Sequence, residues 1–189
     1  MLDCFARRTE NFLKKTGGMN MELMEGLLTR RSVRKYRDEK VPAQDVEDIV
    51  KAGMFAPSAR NQQAWEFVVA DDKEHLQAVS EAMPTARMAK DASFVIVLCV
   101  DPKRLTSPDY WIQDCSAAME NMLLACHAKG AGGVWIGTYP KEDREQALRG
   151  IFNIPADVPV AAMLVGGYPA DALPVADRFV KERIHKGQW

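Results

Sequence analysis

Several features that identify common protein classes are missing from this sequence. Its longest uninterrupted apolar run is Phe94–Val100, far shorter than the run of about 18 residues that a membrane-spanning helix needs. Residues 1–18 carry scattered charges and no apolar segment of the kind found in a secretory signal. We therefore expect no membrane partner and a cytoplasmic location. We also expect residues 1–18 to form a leader or flexible N-terminal extension ahead of one domain, residues 19–189.

The common motifs of metal, nucleotide and acyl-transfer chemistry are also missing. The four cysteines (Cys4, Cys99, Cys115 and Cys126) show no CxxC spacing, which argues against a zinc site and favours buried thiols in a reducing compartment. The sequence contains no phosphate-binding GxxxxGK[ST] motif, no GxGxxG, no GxSxG and no HExxH. A protein without its own nucleophile, metal or acid–base pair often relies on a bound cofactor.

The chain is almost balanced in charge, with 25 basic and 26 acidic residues and a net charge of −1. A general nucleic-acid or membrane-surface binder needs a broad basic face, so this balance argues against both classes. The segment RRSVRKY (30–36) is the exception, with three arginines and one lysine. A local cluster of this kind can still bind one small anion.

The hydrophobic pattern predicts interleaved helices and strands, which indicates a layered α/β or α+β domain. Helices are predicted from about residue 21 to 30, from Pro42, near 73–83, over 109–129 and from Pro140. Strands are predicted at 65–70, 93–100, 132–137 and near 158–169. The helix over 109–129 is apolar on nearly all sides, so we expect it to be buried centrally or in a subunit interface.

Two polar segments are the candidate binding elements. Guanidinium groups bind phosphate in a bidentate manner, and a serine hydroxyl can add a further bond, so RRSVR (30–34) could hold a phosphate. The alternative is a basic helix end that only complements the helix dipole. The loop APSARNQQ (56–63) offers small and amide residues that could contact a flat polar ring, or it is a plain loop rich in turn-forming residues.

Together these segments resemble the nitroreductase family of FMN-dependent oxidoreductases. That family opens with a helix ending in R-R-S-x-R, followed one helix later by A-P-S-x-x-N-x-Q-P-W; here the segments are RRSVR and APSARNQQAW. GGVWIGTYP (132–140), VGGYP (165–169) and the C-terminal DRF to GQW also match. The resemblance implies an α+β, nitroreductase-like three-layer domain with a central, mostly antiparallel sheet flanked by helices, in an intertwined homodimer with FMN at the subunit interface.

The resemblance also implies which residues bind the cofactor. Arg30, Arg31 and Ser32 match residues that hold the FMN phosphate and ribityl chain, and Arg178 matches a C-terminal arginine that returns to the phosphate. Arg34 matches a basic residue at the N1/C2-carbonyl edge of the flavin, where a cation stabilises the reduced ring. The other expected contacts are Pro57, Ser58, Ala59 and Asn61 from the partner subunit, and the backbone of Trp135, Ile136 and Gly137.

The implied reaction is hydride transfer from NADH or NADPH to flavin N5, followed by reduction of a small nitroaromatic or quinone-type acceptor. No protein side chain is expected to act as the catalyst, and no metal is expected. Two alternatives stay open. The same fold and FMN could serve reductive dehalogenation or oxidation of a specific metabolite, decided by the covering segment DPKRLTSP (101–108). More remotely, RRSVRKYR could belong to a non-enzymatic module that binds an anion or nucleic acid.

The sequence departs from the family pattern at three positions. Ala64 stands where the family has proline before Trp65, which we expect to loosen the loop. Thr85 and Met88 stand where many relatives carry asparagine and lysine in contact with the flavin. Flavin contacts from these two residues are therefore not carried over.

Overall fold

A computed structural model of the chain describes residues 21–189. Over these residues, helices and strands alternate along the chain. The helices are α1 (Leu23–Thr29), α2 (Ala43–Met54), α3 (Lys73–Ala82), α4 (Trp111–Ala128) and α5 (Glu142–Phe152). The strands are β1 (Trp65–Ala70), β2 (Phe94–Val100), β3 (Gly132–Gly137) and β4 (Val160–Gly167). The predicted N-terminal extension, residues 1–18, lies outside the described part of the chain.

The four strands form one antiparallel sheet in the order β1-β2-β4-β3. α2 and α4 pack on one face of the sheet, and α3, α5 and the 3-10 segment Pro84–Asp91 pack on the other. β1 and β3 are the two edges, whereas β2 and β4 are buried throughout. This arrangement confirms the predicted α+β, three-layer domain with an antiparallel sheet.

β2 shows why a continuous apolar run forms a central strand. Successive side chains of a strand point to opposite faces, so alternate residues of β2 enter different layers. Phe94, Ile96 and Leu98 lie in the cluster beneath α2 and α4. Val95 and Val97 lie in the cluster beneath α3 and α5. A strand between two helical layers needs apolar residues on both faces, which confirms the interpretation of this segment as a buried strand.

Local signals fix several helix ends. The Asp72 side chain accepts a hydrogen bond from the backbone N–H of His75 at 3.0 Å and caps α3. α4 is followed by Gly130 at φ 72°, and α5 ends at Asn153 at φ 52°, both in the left-handed region. α5 begins at Glu142 rather than at Pro140, because the Lys141 N–H donates to Thr138 O at 2.7 Å and closes a turn first.

Two regions leave apolar side chains uncovered in the single chain. α1 has the predicted amphipathic pattern, yet Met24 is 63% exposed and Leu28 is 65% exposed. Every residue from Ala170 to Trp189 is exposed, and this C-terminal tail carries several large apolar side chains. Those that stand out are Val175, Phe179, Ile184 and Trp189. Within the described residues, none of the helices is long and apolar enough to cross a membrane.

Candidate cofactor site

The arginine segment, residues 30–36, leaves α1 in an extended conformation and runs beside edge strand β3. The Val33 N–H donates to Gly133 O at 3.1 Å, and Ser32 forms a parallel bridge with Gly133. Gly132 permits this close approach, because a Cβ at that position would lie 2.3 Å from Val33 Cγ2. The backbone of the arginine segment is therefore fixed to the sheet at Ser32 and Val33.

Tyr36 fixes the far end of the arginine segment. Its buried hydroxyl lies 2.8 Å from Val33 O and 2.9 Å from Val165 O, and its single hydrogen can be donated to either carbonyl. Burial raises the pKa of the Tyr36 phenol well above its ordinary value, so the phenol stays neutral. The Arg37 N–H then donates to Tyr168 O at 2.9 Å, which continues the attachment beyond Tyr36.

The side chains of the arginine segment alternate between the core and the surface. Val33 is buried, whereas Ser32 and Arg34 are exposed, as expected on opposite sides of an extended chain. Arg34 and the Ser32 hydroxyl form no hydrogen bond or ion pair with any side chain in residues 21–189. Both line a surface cavity of about 290 Å³ that also contacts Leu173 from the C-terminal tail. This surface offers a cation and a hydroxyl that make no bond to another side chain within the described residues.

Arg30 and Arg31 lie at a second cavity of about 180 Å³, next to Gly132 and Gly133. Arg30 Nε donates to Glu120 Oε1 at 3.1 Å, and its terminal nitrogens make no bond within the described chain. Arg31 Nε donates to Pro174 O at 2.8 Å. The two guanidinium groups are thus oriented through Nε, which leaves their outer nitrogens for an anion.

His127 of α4 lies against the same cavity. Thr29 Oγ1 donates to Glu25 O at 2.6 Å, so it accepts the hydrogen of His127 Nε2 across 2.8 Å. Burial lowers the pKa of His127, and the charge of Arg30 lowers it further, against an opposing effect of Glu25. Because its pKa is lowered, His127 is neutral at pH 7 and adds no positive charge beside Arg30.

The second candidate element, the loop 57–63, precedes β1 at the opposite edge of the sheet. Arg60, Asn61 and Gln63 have φ values of 49°, 54° and 47°, a region that non-glycine residues rarely occupy. Gln63 N–H donates to Ser58 Oγ at 3.1 Å, and Gln63 Nε2 donates to Asn61 Oδ1 at 3.0 Å. Asn61 is exposed at the tip, so its side chain is presented outward.

Two buried side chains hold this loop to the first turn of α4. Asp114 accepts from Ala59 N–H at 2.9 Å and from Gln62 Nε2 at 2.6 Å. Gln62 Oε1 accepts from the backbone N–H groups of Thr106 and Ser107, at 3.1 and 2.9 Å. We call the Asp114–Gln62 pair the loop clip. It joins the loop, the segment before α4 and α4 itself.

The arginine segment and the loop 57–63 lie far apart within one chain. The arginine segment contacts α4 at Glu120, through Arg30, and the loop contacts it at Asp114. Asp114 and Glu120 are about 9 Å apart along the helix, at a rise of about 1.5 Å per residue. The two elements also flank opposite edges of the sheet, and three strand spacings of about 4.8 Å separate those edges by about 14 Å. A single chain does not bring them together.

The predicted cofactor contacts of β3, residues 135–137, follow Gly133 along the same edge strand. Trp135 is 36% exposed and Ile136 is buried. A Cβ added at Gly137 would meet nothing within 4 Å, so the surface above this residue is open. Arg144 Nη1 donates to Gly137 O at 2.6 Å and fixes the end of the strand. An open backbone at the end of an edge strand can accept a flat ring at close range.

A model of the Nitroreductase family matches residues 27–93 and 80–168 of this chain. The chain belongs to the nitroreductase family. The matched ranges include the arginine segment, the loop 57–63, α4 and all four strands. The predicted family is therefore confirmed.

Individual nitroreductase-family relatives agree over nearly the whole chain. A protein of Archaeoglobus fulgidus, provisionally named NADH dehydrogenase/NAD(P)H nitroreductase, is 45% identical and covers 89% of this chain and 99% of its own length. A structure from Parabacteroides distasonis with the same provisional name is 36% identical, with a TM-score of 0.83 and coverage of 88% and 98%. A provisionally named nitroreductase of Desulfovibrio desulfuricans, solved in complex with FMN, is 26% identical, with a TM-score of 0.76 and coverage of 90% and 99%.

Arg178, Thr85 and Met88 lie outside the arginine segment. Arg178 lies in the exposed tail and forms no ion pair within residues 21–189. Thr85 is exposed, and Met88 packs against the cluster that contains Val33 and Tyr36. The phosphate contact of Arg178 stays a prediction, and no flavin contact is predicted for Thr85 or Met88.

Sequence reasoning missed three residues that shape the two elements: Gly132, Gln62 and Asp114. Asp114 carried a usable signal, because it is a carboxylate within the mostly apolar stretch that forms α4. A charge on such a helix is expected to have a buried partner. Gly132 and Gln62 gave no such signal. Each is one of two adjacent identical residues, Gly132-Gly133 and Gln62-Gln63, and nothing in the sequence distinguishes it from the other.

Proposed function

We propose that this chain is an FMN-dependent oxidoreductase that takes its electrons from NADH or NADPH. The observation that carries the proposal is the arginine segment, whose unbonded outward groups surround two adjoining cavities. The relative from Desulfovibrio desulfuricans, in complex with FMN, supports the cofactor. The relative from Archaeoglobus fulgidus supports the nicotinamide reductant, since its provisional name includes NAD(P)H nitroreductase.

The chemistry of the arginine segment fits a phosphorylated flavin. Arg30 and Arg31 present outer guanidinium nitrogens at one cavity, and the Ser32 hydroxyl lies at the next. Arginine forks match the oxygens of a phosphate group and bind it more strongly than neutral donors do. We assign the phosphate and the ribityl chain to these three side chains.

Arg34 is assigned to the carbonyl edge of the ring. Its side chain is exposed, and its position is fixed by the buried neighbours Val33 and Tyr36. Bound FMN supplies reversible acceptance of a hydride at its isoalloxazine ring. The guanidinium of Arg34 would stabilise the negative charge of the reduced ring, which is electrostatic preorganisation. The backbone of Trp135, Ile136 and Gly137 would support the ring along the end of β3.

We further propose that the site is completed in a homodimer. The loop residues Pro57, Ser58, Ala59 and Asn61 lie at the other edge of the sheet from the arginine segment, so a second copy would have to supply them. The apolar side chains left exposed on α1 and the tail support such an assembly, because these surfaces need a cover. In the same assembly the tail would bring Arg178 to a phosphate.

The proposed acceptor is a small, electron-poor molecule of the nitroaromatic or quinone type, reduced after the oxidised nicotinamide leaves. A flat acceptor suits the open surface at Gly137 and the exposed side chain of Trp135. The chain need only hold the ring and leave one face accessible.

The test is an absorption spectrum of the purified protein, followed by anaerobic addition of NADH or NADPH. We expect bound FMN that bleaches with a nicotinamide and recolours when a nitroaromatic or a quinone is added. A protein that remains colourless and does not take up added FMN would overturn the proposal. FMN that stays oxidised with both nicotinamides would overturn the assigned reductant and favour another flavin reaction.

A further inference from the structure

We infer that Asp114 and Gln62 are positioning residues, which hold the loop 57–63 in the conformation that contacts FMN. This inference rests on the proposed function, because it takes the loop as a flavin contact. Neither side chain would itself touch the cofactor or substrate. Both are 8% exposed, and their polar atoms are satisfied within the protein.

The loop needs an external constraint. Arg60, Asn61 and Gln63 all have positive φ, and each such non-glycine residue costs of the order of 1 kcal/mol or more. A conformation of this kind persists only where the surroundings determine it strongly. The side-chain bonds within the loop are made by exposed groups, which water can replace. In the loop clip the bond from Gln62 Nε2 to Asp114 is buried and the other bonds are partly buried, so water weakens them less.

The arrangement of donors and acceptors in the loop clip is specific. A carboxylate at position 114 accepts from two donors at once, the Ala59 N–H and the Gln62 amide. The Gln62 oxygen in turn accepts from Thr106 and Ser107, which belong to the segment leading into α4. The loop and that segment are thus held to each other and to the first turn of α4 as one hydrogen-bonded unit.

This arrangement allows a reciprocal exchange of the two groups. In Asp114→Asn, one carboxylate oxygen, which accepts a hydrogen bond, is replaced by an NH2 group, which donates one. That NH2 group then faces another donor, the Ala59 N–H or the Gln62 amide. In Gln62→Glu, a second carboxylate is placed against Asp114. In the double variant Gln62→Glu/Asp114→Asn, the new amide at position 114 can donate to the new carboxylate at position 62. The other oxygen of that carboxylate can still accept from Thr106 and Ser107, whereas the longer bond from the Gln62 amide to Ser107 O, at 3.3 Å, is lost. Each single change breaks the central bond, and the double change rebuilds it with the direction reversed.

The experiment compares the wild type, the two single variants, the double variant and the control Asp109→Asn. Asp109 is an exposed carboxylate in the same part of the chain. We expect each single variant to bind FMN about tenfold or more weakly, because each change breaks the bond between positions 62 and 114 and leaves buried polar groups without a partner. We expect the double variant to recover most of the affinity and the wild-type visible circular dichroism of bound FMN, and the control to match the wild type.

A second readout does not depend on FMN. Arg60 is exposed in the loop, so trypsin cleavage after it, measured by mass spectrometry of the apo protein well below its melting temperature, reports loop order. We expect faster cleavage in the single variants and the wild-type rate in the double variant. Single variants with wild-type cleavage, FMN affinity and dichroism would overturn the inference. The expected cleavage pattern in proteins that all refuse FMN would instead contradict the proposed function and this loop's cofactor role.

Discussion

The arginine segment and the loop 57–63 are both predicted to contact one cofactor, yet the chain holds them in opposite ways. The arginine segment is fixed by its backbone along β3 and by Tyr36, and Arg34 and the Ser32 hydroxyl make no hydrogen bond to another side chain of residues 21–189. The loop is fixed by the buried side chains of Asp114 and Gln62, and it adopts a backbone conformation that costs free energy. The arginine segment thus presents charged side chains, whereas the loop presents a fixed backbone conformation.

This difference determines how substitutions should act. Ser32 and Arg34, whose side chains are exposed, can change without loss of folding free energy, so their replacement should affect ligand binding alone. Residues that fix either backbone should affect stability or order as well. The comparison therefore predicts two kinds of variant: some change only the affinity for the ligand, and others also change the stability or order of the protein.

Ser32→Glu should have the largest effect on the arginine segment. It places a carboxylate where the proposed phosphate binds, and like charges in contact cost several kcal/mol, so FMN affinity should fall about a hundredfold or more. Calorimetric titration with FMN measures the loss. Gln146→Glu adds the same charge to an exposed position of α5 and should leave the affinity unchanged. If both variants bind FMN with the same affinity, the phosphate does not bind at Ser32 and the assignment is contradicted.

Gly132→Ala tests whether close backbone approach fixes the arginine segment. The new Cβ would lie 2.3 Å from Val33 Cγ2, and overpacking of this kind costs about 1–3 kcal/mol in the free energy of unfolding. Urea denaturation measures the change. Gly137→Ala is the matched control, since nothing lies within 4 Å of its added Cβ. Gly132→Ala with wild-type stability would show that the segment does not depend on this contact.

Arg34→Ala should separate binding from folding. Removal of one charge-assisted contact should weaken FMN binding about tenfold or slow flavin reduction by NAD(P)H, with no change in the unfolding midpoint. Stopped-flow reduction and flavin titration together measure both effects. Lys40→Ala removes an exposed cation from the same part of the chain and should change neither. An unaltered affinity and reduction rate in Arg34→Ala would refute the role assigned to Arg34.

The pH dependence of stability should show the smallest effect. The lowered pKa of His127 means that the unfolded chain takes up this proton first as the pH falls through its ordinary value of about 6.5. The folded state therefore loses stability below that pH and keeps its full stability above it. His127→Gln should flatten this part of the stability curve measured by urea denaturation at several pH values. Persistence of the slope in His127→Gln would contradict the assignment.

The fold was largely predictable because its signals are local and periodic. The apolar run of β2 predicted a strand buried on both faces, and the apolar character of the 109–129 region predicted a buried helix; both are found. The apolar pattern of α1 predicted a helix but not its environment, since its apolar side chains stay exposed in one chain. A hydrophobic pattern predicts that one face of a helix is buried, but it does not predict which chain or molecule packs against that face.

The candidate site was predictable only where residue type carries the chemistry. Three arginines and a serine in five residues left two interpretations open, an anion site or a basic helix end, and the structure places Arg30, Ser32 and Arg34 around adjoining cavities. The loop clip was not predicted, because the partners Gln62 and Asp114 are 52 residues apart and meet only through the packing of α4. Contacts made by tertiary packing leave no periodic signal in a single sequence.

The most direct test of the account mixes two defective chains. Ser32→Glu/Arg34→Ala disables the arginine segment, Pro57→Gly/Asn61→Asp disables the loop, and each protein alone is expected to purify without FMN. Co-expressed with different tags and isolated as mixed dimers, the two should regain about half of the wild-type FMN content, since one of the two sites then has both elements intact. Mixed dimers without FMN would contradict a site that is shared between two copies of the chain.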